Sequence, residues 1–153
     1  MSYVITQETF TGTYLELEPL YRQHYSEMTE RLNKEGFEYS PYNLRHDEYG
    51  KACKNGSLLN FVLRHNGVAC GYSNLYLTND MHNHDLIAQE DTIYVVKEHR
   101  NGIGMRLAKH CLEELRQRGV KRLHVSAMTD PRAVKFWGRI GFKEASVQMI
   151  YRF

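Results

Sequence analysis

The sequence predicts an α/β fold on a mixed sheet, and three stretches carry that prediction. Residues 86 to 128 read as strand, helix and strand, a crossover unit that implies parallel pairing. Residues 58 to 77, "LLNFVLRHNGVACGYSNLYL", read as two strands joined by Asn66-Gly67, a pair that tolerates the positive φ of a two-residue type I′ turn and so marks an antiparallel hairpin. From Pro19 to Lys34, Leu20, Tyr21, His24, Tyr25, Met28 and Leu32 recur at helical spacing, which adds an amphipathic helix ahead of the hairpin.

Taken in order, residues 2 to 10 suggest a first strand, closed by a Thr11-Gly12-Thr13 turn. The helix of residues 19 to 34 follows and stops at Gly36. Residues 37 to 57 are polar, hold Pro41 and Asn55-Gly56, and leave room for a short helix around Arg45 to Lys54. After the hairpin, the loop "TNDMHNHD" leads into "LIAQEDTIYVV", a strand with Ile93 and Val95 on one face and Thr92 and Tyr94 on the other. Ile103, Leu107, Ala108, Cys111, Leu112 and Leu115 then form one apolar stripe opposed by Arg106, Lys109, Glu113, Glu114 and Gln117, with Gly119 as C-cap. "KRLHVSAM" is a further strand. Asp130-Pro131 is a double helix start, an N-cap carboxylate before a proline at the first helical position, and Gly141 ends that helix. Val147, Met149, Tyr151 and Phe153 alternate as a last strand.

With 153 residues, 42% hydrophobic and 25% charged, the chain can bury roughly two thirds of its unfolded surface in one core. One domain over 1–153 is expected. The net charge of +2 from 20 basic and 18 acidic residues is too balanced for a dedicated nucleic-acid binder, so nucleic acid is not an expected partner. Cys53, Cys70 and Cys111 are odd in number, lack CxxC spacing and sit in apolar segments, which fits a reducing compartment. No leader pattern opens the chain and no apolar run approaches the ~20 residues of a membrane span. A soluble, cytoplasmic protein that does not engage a membrane is expected.

Asn101-Gly102-Ile103-Gly104 stands where a strand gives way to a helix. Helix starts expose unpaired N–H groups and the positive end of the macrodipole, and glycines let a phosphate come close to them. The same glycines also suit a tight strand-to-helix turn with no ligand, and on the residues alone both readings stand. Two nucleotide motifs are excluded. Met105 and Arg106 follow Gly104 where a Walker loop needs Lys and Ser or Thr, and Leu107 stands where a dinucleotide fingerprint needs a third glycine.

Two blocks then read together. His99-Arg100-Asn101-Gly102-Ile103-Gly104 follows the pattern Gln or Arg, two residues, Gly, one residue, Gly or Ala. Asp130, Ala133, Phe136, Trp137, Gly141 and Phe142 follow Asn, two residues, Ala, two residues, an apolar residue, Tyr, three residues, Gly-Phe. On these blocks, and on the order of elements over nearly all 153 residues, the chain resembles the GCN5-related N-acetyltransferase (GNAT) superfamily. "HRNGIGMRL" and the histidine-containing loop before the fourth strand further resemble small acetyltransferases encoded by bacteriophages. The departures are His99 for Gln or Arg, Asp130 for Asn and Trp137 for Tyr.

The resemblance implies a central mixed sheet of six to seven strands with about four helices, and an acetyl-coenzyme A dependent transfer of acetyl to a primary amine of a small molecule or protein. It implies a pyrophosphate on the amides of residues 100 to 105, namely Arg100, Asn101, Gly102, Ile103, Gly104 and Met105, with Arg100 and Arg106 adding charge. The pantetheine arm would lie along Val95 and Val96, with Asp130, Phe136 and Trp137 completing the coenzyme site. A backbone N–H near Val95 or Val96 is the expected oxyanion donor. Glu90 and Asp91 are the base candidates and point to opposite faces. Glu90 is preferred because it shares a face with Thr92 and Tyr94, while Asp91 matches the acidic position of the phage-like relatives. Either could instead be a carboxylate paired on the sheet surface. An indole N–H is not a usable acid, so Trp137 is expected to pack on the pantetheine or the core, and Tyr94, Tyr151 or water would protonate the thiolate.

"MHNHD" offers His82, His84 and Asp85 as metal ligands, but the spacing matches no fixed pattern and a solvated or acceptor-side loop is preferred, with no metal site expected. "RQRGVKR" reads as a solvated helix end. The expected partners are acetyl-coenzyme A and an amine acceptor, with a homodimer left open. Two alternatives stand beside the enzyme: a non-catalytic binding protein of the same fold that blocks or regulates a partner, and an acetyltransferase toxin acting on aminoacyl-tRNA.

Overall fold

The computed structural model describes residues 2–128 and 130–153. Its elements run β1 (Tyr3–Gln7), α1 (Phe10–Lys34), α2 (His46–Lys54), β2 (Leu58–His65), β3 (Val68–Asn79), β4 (Leu86–Val95), a single 3₁₀ turn at Lys97–His99, α3 (Ile103–Gln117), β5 (Arg122–His124) and α4 (Pro131–Ile140). The strands lie in chain order in one five-stranded sheet; β1 to β4 pair antiparallel and β5 joins β4 parallel through the α3 crossover. The hairpin forms where Asn66-Gly67 placed it, with φ of 51° and 85°.

Helices cover both faces of the sheet. On one, Leu59, Phe61, Leu75 and Ala88 pack with Ile103, Leu107, Cys111 and Leu115 of α3. On the other, Val62, Tyr72 and Tyr94 pack with Phe10, Leu17 and Tyr21 of α1, with Tyr49 and Cys53 of α2 at the margin.

Three expectations are corrected. The first helix begins at Phe10 and runs 25 residues, so Thr11-Gly12-Thr13 is its opening turn rather than the end of a strand. Thr9 caps it by accepting the Gly12 N–H at 3.2 Å, and Phe10, Thr13, Leu17 and Tyr21 supply the buried face that decides for helix. Pro19 is accommodated because the carbonyl it leaves unpaired, that of Leu15, lies on the solvent side. The strand after α3 shrinks to three residues. The alternating C-terminal residues pair with no edge: Val147, Met149, Tyr151 and Phe153 are exposed, and Arg152 donates to the Glu38 carbonyl at 2.6 Å instead. Alternation makes a strand only where hydrogen-bonding partners are met, so the described residues form a sheet of five strands, not six or seven.

Two irregularities mark the second half of β4. Its register with β3 shifts between Asn74 and Leu75, so that Thr92 faces Asn74, Glu90 faces Leu75, and Asp91 is an extra, bulged residue. Its pairing with β5 covers only Ile87, Ala88 and Gln89, so from Glu90 to Val95 no strand among the described residues pairs with that edge, which is open.

Candidate active site

The end of β4 meets the start of α3, where Val95 packs with Ile103. Gly102 is the N-cap residue with φ of 97°, a conformation only glycine adopts cheaply, and no side chain caps the first amides of the helix. Gly104 has no such backbone need. A Cβ built there would meet only Val95 Cγ2 at 3.9 Å and Phe136 Cε2 at 4.0 Å, ordinary contacts, so nothing within the chain forbids a larger side chain. The two glycines thus separate the two readings of the motif: Gly102 makes the turn, and Gly104 keeps the mouth of the helix bare. The cradle is narrower than expected. The Arg100 and Asn101 amides already donate to Lys97 O and His99 O at 3.3 and 2.9 Å, which leaves the amides from Gly102 to Met105.

The basic side chains beside the motif turn elsewhere. Arg106 donates to Tyr3 O at 3.2 Å, and His99 Nδ1 is hydrogen-bonded to the Tyr3 hydroxyl at 2.7 Å, both toward β1. Arg100 faces α1: Nη2 reaches the two Glu27 carboxylate oxygens at 3.0 and 3.3 Å, Nε donates to Val95 O at 2.7 Å, and the guanidinium lies over the Tyr94 ring. The expected phosphate role of its side chain is therefore not what these contacts provide.

At the end of β4, the Val96 N–H donates to Cys70 O at 2.9 Å across β3. Successive residues of a strand direct their backbone groups to alternate edges, so the Val95 N–H and C=O point to the open side. Of the two oxyanion donors expected, the Val96 N–H is taken by Cys70 and the Val95 N–H points to the open side.

The bulge corrects the placement of the carboxylates. They do lie on opposite faces, but the extra residue reverses the alternation: Asp91 turns to the Tyr94 face, where Tyr49 donates to it at 2.7 Å, and Glu90 turns to the face of Leu75 and α3. Burial pushes the Glu90 carboxyl up to about 7, against the lowering influence of the Ser126 backbone amide just beyond β5. Glu90 thus stands at the fork where β4 and β5 part. Asp91 is also raised by burial, opposed by the Tyr49 bond.

Phe136 lies against Gly104, and Trp137 is buried between Phe136 and Phe142, ring centroids 4.9 Å from each. Asp130 caps α4 by accepting the Arg132 N–H at 3.0 Å. Tyr151, 80% exposed, meets Phe153 on the C-terminal segment. The Tyr94 hydroxyl donates to Glu27, and burial raises its pKa far above the ordinary phenol value. Asp85 of the "MHNHD" loop and Asp80 just before it pair with Arg122, and no group of three metal-ligating side chains occurs among the described residues.

Sequence reasoning missed the contribution of α1. His24 stacks on Tyr94 with centroids 4.8 Å apart, its Nδ1 bonded to the Tyr72 hydroxyl at 2.8 Å, and burial lowers its pKa to about 4, so the ring is neutral. Glu27, one turn on, receives Tyr94 and Arg100. The available signal was a histidine on an apolar helix face followed by a carboxylate at i+3.

The profile of the acetyltransferase (GNAT) family matches residues 17–142. The chain belongs to that family. It is accordingly an acetyltransferase, and both the glycine turn and α4 fall inside the matched span. Similar GNAT-like structures include a ribosomal-protein-alanine N-acetyltransferase from Brucella melitensis (17% identity, TM-score 0.76, all of both chains). An aminoglycoside acetyltransferase from an uncultured soil metagenomic sample, in complex with sisomicin, matches at 17% identity and TM-score 0.75 over 99% of this chain and 96% of that one. A tetramutant of a Bacillus halodurans protein matches at 15% identity and TM-score 0.81, over 98% and 99%. These identities establish a shared fold. No curated protein sequence matches the chain. No described helix is long and apolar enough to cross a membrane.

Proposed function

We propose that this GNAT protein transfers the acetyl group of acetyl-coenzyme A directly to a primary amine. The observation that carries the reading is the junction of three features: uncapped amides at the start of α3, a glycine at 104 with no internal reason to be one, and a strand edge open from Glu90 to Val95. The amides of Gly102 to Met105 suit a pyrophosphate. The open edge suits an extended amide-bearing arm, and its length ends at Val95.

Acetyl-coenzyme A supplies the activated thioester. The chain supplies the rest: the Val95 N–H stabilises the oxyanion as the amine attacks, and Glu90, poised near neutrality, takes the proton that the ammonium must lose, directly or through a water. The thiolate has a pKa near that of cysteine, about 8.5, and leaves without a protein acid. With Trp137 packed among aromatic rings, Tyr94 committed to Glu27 and Tyr151 exposed, water is the proton source.

Similarity does not choose the acceptor, because two neighbours of nearly equal likeness are named for different ones, a ribosomal protein's alanine and an aminoglycoside. Likewise the phage resemblance rests on two short stretches, "HRNGIGMRL" and the histidine-containing loop before β4. Calorimetry with acetyl-coenzyme A tests the donor, and labelled donor presented to amine, peptide and tRNA pools tests the transfer. Cofactor binding without acetylation of any pool would replace the enzyme by the binding-protein reading.

A further inference from the structure

The end of β4 is held by β3 on one edge and by no described strand on the other. Beyond Gln89 its β5-side edge is unpaired, yet the proposed oxyanion donor, the Val95 amide, sits on that edge and must keep a fixed direction. Side chains supply the missing support. Glu27 of α1 accepts from the Tyr94 hydroxyl and from Arg100 Nη2 at 3.0 Å, while Arg100 Nε grips the Val95 carbonyl at 2.7 Å. The loop closes through the Tyr94–Val95 peptide bond. A single carboxylate from a helix thereby holds two consecutive residues of the strand, one by its side chain and one by its backbone.

We propose that Glu27 and Arg100 are positioning residues for catalysis, a clamp that orients the backbone at Val95 so that its N–H addresses the thioester carbonyl. The inference rests on the acetyl-transfer reading above. The Val95 N–H belongs to the Tyr94–Val95 peptide unit and the Val95 C=O to the next, so a clamp that holds the Tyr94 side chain on one side and the Val95 carbonyl on the other restrains the torsions between them, and with them the direction of the N–H. The bond has a second effect: the Val95 carbonyl is occupied, which leaves the N–H as the one strong backbone group offered there. Arginine is needed because one planar fork serves the carbonyl through Nε and the carboxylate through Nη2; a lysine ammonium cannot hold that geometry. Burial pushes the Glu27 carboxyl up, but the bonds from Tyr94 and Arg100 outweigh it and hold the group below the usual carboxylate range, so the clamp is charged at neutral pH.

The test needs no acceptor. The Val95 amide resonance is followed by NMR in ¹⁵N-labelled protein saturated with coenzyme A and then with acetyl-coenzyme A, alongside the Kd of each by calorimetry. In the wild type the acetyl group should move the Val95 N–H resonance relative to free coenzyme A. In Glu27→Gln and Arg100→Lys the greater part of that difference should vanish with Kd unchanged, and in the double variant the loss should be no larger than in either single one. A difference preserved in either single variant overturns the clamp. So does a Kd lost in Arg100→Lys with the Val95 difference intact, which would assign the guanidinium to the phosphates. Wild-type protein that binds neither ligand would refute the acetyl-transfer reading itself; binding without any response at Val95 would spare that reading and remove the clamp's target.

Discussion

Replacing Gly104 by valine separates the ligand role of the glycine turn from its structural role. The position has no positive φ, and the Cβ would rest at 3.9 and 4.0 Å from its nearest neighbours. In a helix valine is slightly favoured over glycine, by a few tenths of a kcal/mol, so the melting temperature should stay within about 2 °C of the wild type. The two added methyl groups cover the mouth of α3. Charge-assisted bonds from backbone amides to phosphate are worth about 1.5–3 kcal/mol each, so displacing two of them costs about 3–6 kcal/mol, a loss in affinity of roughly 100-fold or more. Gly102→Ala should show the opposite balance. Its φ of 97° charges an L-residue about 1–2 kcal/mol, or roughly 2–8 °C, before any ligand is added. Calorimetric titration with acetyl-coenzyme A and a thermal melt on each variant decide the matter. A folded Gly104→Val protein that binds acetyl-coenzyme A as the wild type does would refute the cradle.

Glu90→Gln should lower kcat/KM by roughly 100-fold or more with coenzyme affinity unchanged, while Asp91→Asn, whose partner Tyr49 lies on the other face, should cost far less; the reverse order in steady-state assays would move the base across the strand. The wild-type profile of kcat/KM should rise with pH through about 7 to a plateau with no alkaline fall, and Glu90→Gln should erase that limb. Stability should carry the same signature: with a folded value of about 7 against 4.5 unfolded, the native state binds the extra proton between them, so stability falls as pH rises from about 4.5 to 7. Urea unfolding at pH 5 and 8 should differ by on the order of 1–2 kcal/mol more in the wild type than in Glu90→Gln. Tyr151→Phe should leave kcat/KM unaltered, and a loss would mean that the C-terminal segment folds onto the site. Asp130→Ala should destabilise by about 1 kcal/mol in a thermal melt through loss of the α4 cap.

Local chemistry was legible in the sequence. Asn66-Gly67 encoded the hairpin turn, Asp130-Pro131 the start of α4, the 103–115 stripe the buried face of α3, and the glycines the bare helix mouth; each depends on a residue's own φ, its capping group or the period of its neighbours. What depends on two segments meeting was not legible. The bulge at Asp91 exists only in the register between β3 and β4, and it reversed which carboxylate faces Tyr94. The early end of β5 created the open edge, and the bond of Val96 to Cys70 decided which amide points into it. Glu27, 73 residues before Arg100, reached the site because α1 packs across the sheet. Periodicity tells a residue which side of its own element it occupies. Only the packed chain tells it what stands there.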